Sequence, residues 1–439
     1  MTDTVLSIQF YFISILNAEG DLRMNTIPVT NPLLPIDVFV PDAEAYVWED
    51  GRIYLYGSLD VSGRRSYCSD EYHVFSSDNL RDWVDHGVSF SLARTRDGWA
   101  KDLGALYAPD CAYRAGKYYL YYCVPDGRCG VAVSENPAGP FEDLGPMEHV
   151  HGIDPAVMID HTGQAWFYWG QFDKVRAAKL RDNMTEIDPE TAVQPLSVAE
   201  HEFHEGSSVK EIGGKYYYLF TDTHRHGGRA TSLGYAVSDY PDHGFTYGGV
   251  ILDNFGCDPR TWNNHGSLCE FRGQWYLFYH RSTHGGEYSR HVCAEPIFFD
   301  ENGRIGEVKM TSGLFGAGEE VPAYRSAELR GSARIAGDAG SAYGYAVTEI
   351  GNGDSALYRS YSFDGEDAFT LRVRTDKPCR AEVYLDGWYA GSVSIQPGNR
   401  FAKITGHLER PFAGVHAAEV RYYGEGTTAA LDALRFHRD

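Results

Sequence analysis

Three acidic residues stand at matching places in a repeated phrase. Asp42, Asp154 and Glu205 each lie nine residues ahead of a glycine that opens an aromatic-rich run: GRIYLYGS from Gly51, GQAWFYWG from Gly163 and GKYYYLFT from Gly214. Two further copies, GKYYLYYC from Gly116 and GQWYLFYH from Gly273, carry other residues at that offset. In the second copy it falls on Tyr107, with Asp110 close by; in the fifth it falls on Asn264, followed by His265, within WNNHGSL. If each copy is one equivalent unit of a closed ring, the three carboxylates converge on one point. Such a trio suits cleavage of a glycosidic bond. One protonated carboxyl donates to the leaving oxygen, and a second, ionised one activates water or attacks carbon. A third negative charge nearby raises the pKa of the acid. Any one of these acids alone would read as a turn residue, since Pro41-Asp42 and Asp154-Pro155 are turn dipeptides; three in one register point to function.

The elements that must hold these acids are short strands. Each phrase is rich in Tyr, Trp, Phe and Leu behind a turn glycine, and each follows another strand-like run. Run, polar turn and run make a β-hairpin. Additional runs at 130–136, 176–182 and 231–238 bring each unit to about four strands. Five copies spaced 47 to 65 residues apart predict an all-β fold, a five-bladed β-propeller. A β-sandwich would not repeat one phrase five times. The first run of each hairpin is then the inner strand, and its start lies at one mouth of the central channel. The repeat ends after Gly273, residues 295–313 complete the last unit, and GAGEE with Pro322 marks a boundary. We read residues 24–315 as the propeller and 323–439, with its short alternating runs, as a separate C-terminal β-sandwich.

Composition narrows the partners. The net charge is −22 with no Lys/Arg-rich run, which disfavours nucleic acid and leaves a neutral sugar substrate as the natural partner. No CxxC pair occurs among the eight cysteines, so neither zinc nor a redox dithiol is expected; free buried thiols in a reducing, cytoplasmic location are. Residues 5–16 form a weak apolar stretch without a basic flank, too short to span a membrane. Glu19-Gly20-Asp21 is encodable as a ribosome-binding sequence shortly before Met24. We therefore expect residues 1–23 to be leader outside the native protein, with secretion as the alternative. Oligomeric state stays open.

Residues 31–313 resemble glycoside hydrolase family 43. The resemblance rests on VPDAEAYVWEDGRIYLYGS, LYAPDCAYRAGKYYLYYC, SENPAGPFEDLG, HGIDPAVMIDHTG, HEFHEGSSVKEIGGKYYYLFT and NNHGSLCEFRGQWYLFYHR, in order through all five units. It implies an inverting, exo-acting enzyme that releases α-L-arabinofuranosyl or β-D-xylosyl units from plant oligosaccharides and needs no cofactor for chemistry. By that resemblance Asp42 is the general base, Glu205 the general acid and Asp154 the residue that tunes the acid. His265 lies near the channel centre, beside a calcium or water cluster, and Arg290 reaches the terminal sugar. An inverting pair would stand roughly 6.5–9.5 Å apart. The chain departs from the family in having Ala43 after Asp42, and Gly-Ser after Glu205. A galactoside substrate and a non-catalytic carbohydrate-binding propeller are the alternatives.

Other residues complete the candidate site. Trp99 and Trp262 lie outside the repeats and are the better candidates for the channel mouth; Trp48, Trp166, Trp169 and Trp275 read as blade packing. Asp60 either touches sugar hydroxyls or caps a turn. His201, His204, His224 and His226 cluster near the acid without a metal-ligand spacing, and read as surface-loop residues. The C-terminal part resembles carbohydrate-binding module family 6 through AELRGSARI, VTEIGNGDSALYRSYSF and ALDALRF. That resemblance implies a structural calcium at Glu328 and Asp432. The usual binding Asn and aromatic are replaced by Ala430 and Ser355, so weak or no sugar binding is expected at that place, and a bracing or oligomer-forming role instead.

Overall fold

The computed structural model describes residues 27–284, 286–316 and 318–439; the expected leader, 1–23, lies outside them. Five of the six sheets are built from consecutive antiparallel strands. The turn glycines explain why the hairpins form. Arg114 pairs with Lys117 across Ala115 and Gly116, Ile212 with Lys215 across Gly213 and Gly214, and Phe271 with Gln274 across Arg272 and Gly273. Both central residues have positive φ in all three turns, the backbone of a two-residue turn whose twist matches the flanking strands.

The first strands of the five sheets, Glu44–Val47, Tyr107–Arg114, Ala156–Ile159, Phe203–Ile212 and Ser267–Phe271, contact one another in a closed cycle around a central channel. The result is a five-bladed β-propeller whose inner strands are the first runs of the hairpins. Blades one, two and four have four strands each, and blades three and five have three. The segment before blade one supplies the missing edge of blade five: Leu33 N–H donates to Val292 O, and Asn31 N–H to Ser312 O. This seam closes the ring.

The core of the propeller is five clusters, one between each pair of adjacent blades. The cluster at the seam joins Ile53, Leu55 and Phe75 of blade one to Phe271, Tyr276 and Phe278 of blade five. Each fully buried side chain of this size contributes about 1.5–3 kcal/mol. Inter-blade packing therefore fixes how far the inner strands stand from the axis, and hence where residues at their starts point.

The C-terminal part is one nine-stranded antiparallel sheet. Its two longest strands, Ser355–Thr375 and Gly398–Tyr423, carry register breaks that let the sheet turn over into a β-sandwich around its own core. It contacts the propeller directly: Leu329 N–H donates to Gly256 O, Ser312 N–H to Arg359 O, and Ile36 and Phe315 join the sandwich core. Among the described residues no helix is long and apolar enough to cross a membrane.

Candidate active site

Asp42 and Asp154 occupy equivalent backbone positions. Each lies two residues ahead of an inner strand and has a left-handed backbone, φ 58° and 53° respectively. A left-handed residue just before a strand turns its side chain toward the axis, where the next residues would alternate across the sheet. Glu205 is the third residue of its inner strand, and pairing slips on both sides of it, between Phe203 and Ser208. That bulge re-aims Glu205 toward the same mouth. Asp42, Asp154, Glu205, His265 and Arg290 together line one pocket of about 200 Å³, with Tyr67, Cys68, Tyr107, Ile153, Gln171 and Asn263 among the other walls.

Asp42 is the most strongly held acid. Its Oδ2 accepts from Ser58 Oγ at 2.8 Å, and its Oδ1 accepts from Arg290 Nη1 at 3.0 Å. Nδ1 of His280 lies 3.3 Å from Oδ1, and Nδ1 of His265 lies 3.9 Å away. Burial opposes the charge of Asp42, but Arg290 and the two histidines outweigh it and hold the carboxyl well below the usual carboxylate range. Arg290 is itself clamped: Nε and Nη2 both donate to Asp60 at 2.9 Å. Despite burial, Asp42 and Asp60 keep this guanidinium charged.

Asp154 behaves in the opposite way. Burial first, then the negative charges of Glu205 and Asp42, push its carboxyl well above the usual range. Its Oδ2 accepts from Gly206 N–H at 3.0 Å, which ties it to the residue after Glu205. Glu205 Oε2 accepts from Gln171 Nε2 at 2.6 Å, and His204 Nε2 lies 3.9 Å away. The pocket thus holds one carboxyl pushed down and another pushed up, the divergence acid–base chemistry requires. Burial also pushes the Cys68 thiol far up, so it stays protonated and is no nucleophile. Burial lowers His265, and among the described residues its buried Nε2 has no hydrogen-bond partner.

Several sequence expectations need correction. Asp60 has no exposed side-chain surface; it cannot touch sugar and serves to hold Arg290. Asn264 is fully buried, donating to Thr231 O and accepting from His280 N–H, while the adjacent Asn263 faces the pocket. Trp99 donates to Asp143, stacks on Tyr122 and lies under Arg128, so it packs blade two rather than the channel mouth. Trp262 is exposed, with its ring under Arg229, and does not line the pocket. Tyr107 does line it, whereas Asp110 points along the channel to Tyr46 and Val157 N. Among the four clustered histidines, His201 is buried and bonds Ser197 N–H and Phe245 O, away from the surface loops.

Calcium takes about six to eight oxygen ligands. Among the described residues no three His, Cys, Asp or Glu side chains are grouped to hold a metal, His265 included. Glu328 pairs with Arg359 and Arg330, and Asp432 with Arg372 and Ser341. Their strands meet Ser355–Thr375 at opposite ends, Glu328 opposite Leu357 and Ala433 opposite Arg372, so they do not share a site.

Sequence reasoning missed Ser58, His280 and Gln171, which hold the acids. Their signal was weak: Ser58 and His280 end the first and fifth runs, and Gln171 follows the run of the unit that carries Asp154.

Comparison with known proteins agrees with this geometry. The model of glycosyl hydrolases family 43 matches residues 29–305. A xylosidase/arabinosidase from Thermoclostridium stercorarium is 30% identical, covering 91% of this chain and 97% of that relative. Xylosidase/arabinosidase 43A of Humicola insolens is 32% identical over 61% of this chain and 96% of its own length. Among solved structures, CoXyl43, a β-xylosidase/α-arabinofuranosidase from a compost metagenome in complex with xylotriose, superposes with a TM-score of 0.56. It is 28% identical and covers 64% of this chain and 98% of its own. An arabinoxylan arabinofuranohydrolase from Bacillus subtilis, 23% identical with a TM-score of 0.56, shares the fold over 94% of this chain and 98% of its own. The chain belongs to glycosyl hydrolases family 43.

Proposed function

We propose that this glycoside hydrolase removes single α-L-arabinofuranosyl or β-D-xylosyl units from the ends of arabinoxylan- or arabinan-derived oligosaccharides, with inversion at the anomeric carbon. Asp42 is the general base, Glu205 the general acid and Asp154 the residue that tunes the acid. The observation that carries this reading is the buried Asp42 carboxylate, kept ionised by Arg290 in the small pocket that Glu205 also lines.

In turnover, a water held by Asp42 attacks the anomeric carbon and gives its proton to Asp42. Glu205 donates its proton to the glycosidic oxygen as that bond breaks. The two carboxyls end with exchanged protonation and are reset through solvent. Arg290 has Asp42 and Asp60 as fixed partners, so it stabilises the base's charge without reorganising. The unpartnered His265 Nε2 is placed to accept from a sugar hydroxyl or from water. At about 200 Å³ the pocket is smaller than the roughly 300–1,000 Å³ of drug-sized ligand sites, which supports one terminal sugar and exo action. The eight free, buried cysteines support a cytoplasmic location, which fractionation of the native host checks.

The test is hydrolysis of aryl α-L-arabinofuranoside and aryl β-D-xyloside by the wild type and Glu205→Gln, with the first-formed anomer followed by NMR. The expected result is a loss of about 10²–10⁴-fold in the variant and an inverted first product. A retained anomer, or full activity in Glu205→Gln, defeats the reading.

A further inference from the structure

We infer that Phe172, backed by His204, is the platform for the leaving-group sugar, and that it selects a pyranose there. This rests on Glu205 being the acid. An acid that protonates the glycosidic oxygen must lie between the two sugars, so the departing sugar leaves past Glu205. On that side Gln171 lines the pocket and hydrogen-bonds Glu205, and the next residue in the chain is Phe172.

Three features of Phe172 have no packing explanation. Its side chain belongs to no core cluster and it is 47% exposed. Its φ is 49°, a left-handed backbone that a bulky aromatic residue rarely adopts. Both neighbours are tied down: Gln171 donates to Glu205, and Asp173 Oδ1 accepts from Val198 N–H at 2.9 Å, the start of the short helix that leads into the Glu205 strand. The strained residue is therefore gripped from both sides and registered on the acid itself.

Its ring meets the His204 ring edge to face at 4.7 Å, and His204 Nε2 stands 3.9 Å from Glu205 Oε2. Phe172, His204 and the acid thus follow one another, with the half-exposed Phe172 ring as the outermost member. An aromatic face of this kind takes the apolar C–H face of a pyranose ring. A puckered furanose offers no comparable plane, so the leaving group it fits is a xylopyranosyl residue of an oligosaccharide. Terminal-sugar choice is left to the enclosed pocket.

The experiment compares two substrates with the same terminal sugar. One is xylobiose or arabinofuranosyl-xylobiose, whichever the wild type hydrolyses; the other is the corresponding glycosyl fluoride, whose leaving group is one atom. For Phe172→Ala, kcat/KM should fall at least tenfold more on the oligosaccharide than on the fluoride, and Phe172→Trp should restore it. The basic limb of the pH–rate profile should stay in place. Equal losses on both substrates would mean that Phe172 acts on the terminal-sugar pocket and not on the leaving group, and a displaced basic limb that it acts only through Gln171 and Glu205; either would overturn the inference. So would wild-type oligosaccharide hydrolysis in Phe172→Ala. A wild type inactive on both substrates would instead overturn the functional reading itself.

Discussion

Removing Arg290 should bring the base into view in the pH–rate profile. In the wild type Asp42 is held well below the usual carboxylate range, so it stays ionised across the working pH. Arg290→Met alone would strand Asp60, a carboxylate with no exposed side-chain surface, at a cost of about 3–5 kcal/mol. Pairing it with Asp60→Asn removes one positive and one negative charge together and leaves Asp42 as the probe. A cation at this distance lowers a carboxylate pKa by about 1–3 units, equivalent to about 1.4–4 kcal/mol. Its loss, with burial, the largest influence on this carboxyl, no longer opposed by that charge, should raise the base by at least about 1–3 units and bring an acid limb that the wild type lacks into the lower end of the assayed range. The fold carries the same sign. A depressed carboxyl stabilises the native state above its unfolded pKa, and that contribution vanishes only as pH falls through the folded value. The double variant should therefore lose acid tolerance before the wild type does. The assays are kcat/KM from pH 3 to 8 on an aryl glycoside, and urea melts at pH 4 and 7. A profile without that acid limb in a folded, active double variant would refute the assignment of Asp42 as the base and of Arg290 as its counter-charge.

Two further outcomes follow from the same geometry. Gly206 has φ 73°, and a Cβ there would lie 2.8 Å from Thr221 Oγ1 and 3.2 Å from the His265 ring; Gly206→Ala should cost about 1 kcal/mol or more and lower kcat by displacing Glu205, read by urea melts and steady-state kinetics. Glu44, buried in the channel 3.1 Å from Lys210 Nζ, is raised to about 7, chiefly by burial. A raised carboxyl makes the folded state bind the extra proton, so stability should fall as pH climbs from about 4.5 toward about 7. Glu44→Gln should flatten that slope in melts at pH 5 and 7, and an unchanged slope would exclude Glu44 as its source.

Much of the architecture was legible because it is local. A turn such as Ala115-Gly116 needs positive φ at both positions, and its sequence announces this wherever it occurs. The recurrence of that turn ahead of aromatic runs marks the ring, and the shared offset singles out Asp42, Asp154 and Glu205. The offset did not reveal that two of these acids sit on left-handed residues and the third on a bulge. It also misjudged Asn264, because position in a repeat does not say which way a side chain turns; Trp99, singled out because it lies outside the repeats, packs against Tyr122 and Asp143 instead.

What the sequence determined by itself was therefore the fold class, the blade number and three acids, all set by short-range patterns that repeat. What only the tertiary structure decided was the pocket's electrostatics and its walls. Arg290 meets Asp60 across 230 residues and Asp42 across 248, and neither separation carries any periodic mark. These contacts exist because the seam at Asn31 and Leu33 closes the ring and brings blade five against blade one. The depressed Asp42 carboxyl follows from that closure, since burial and distance set it and neither is a property of the chain in sequence order.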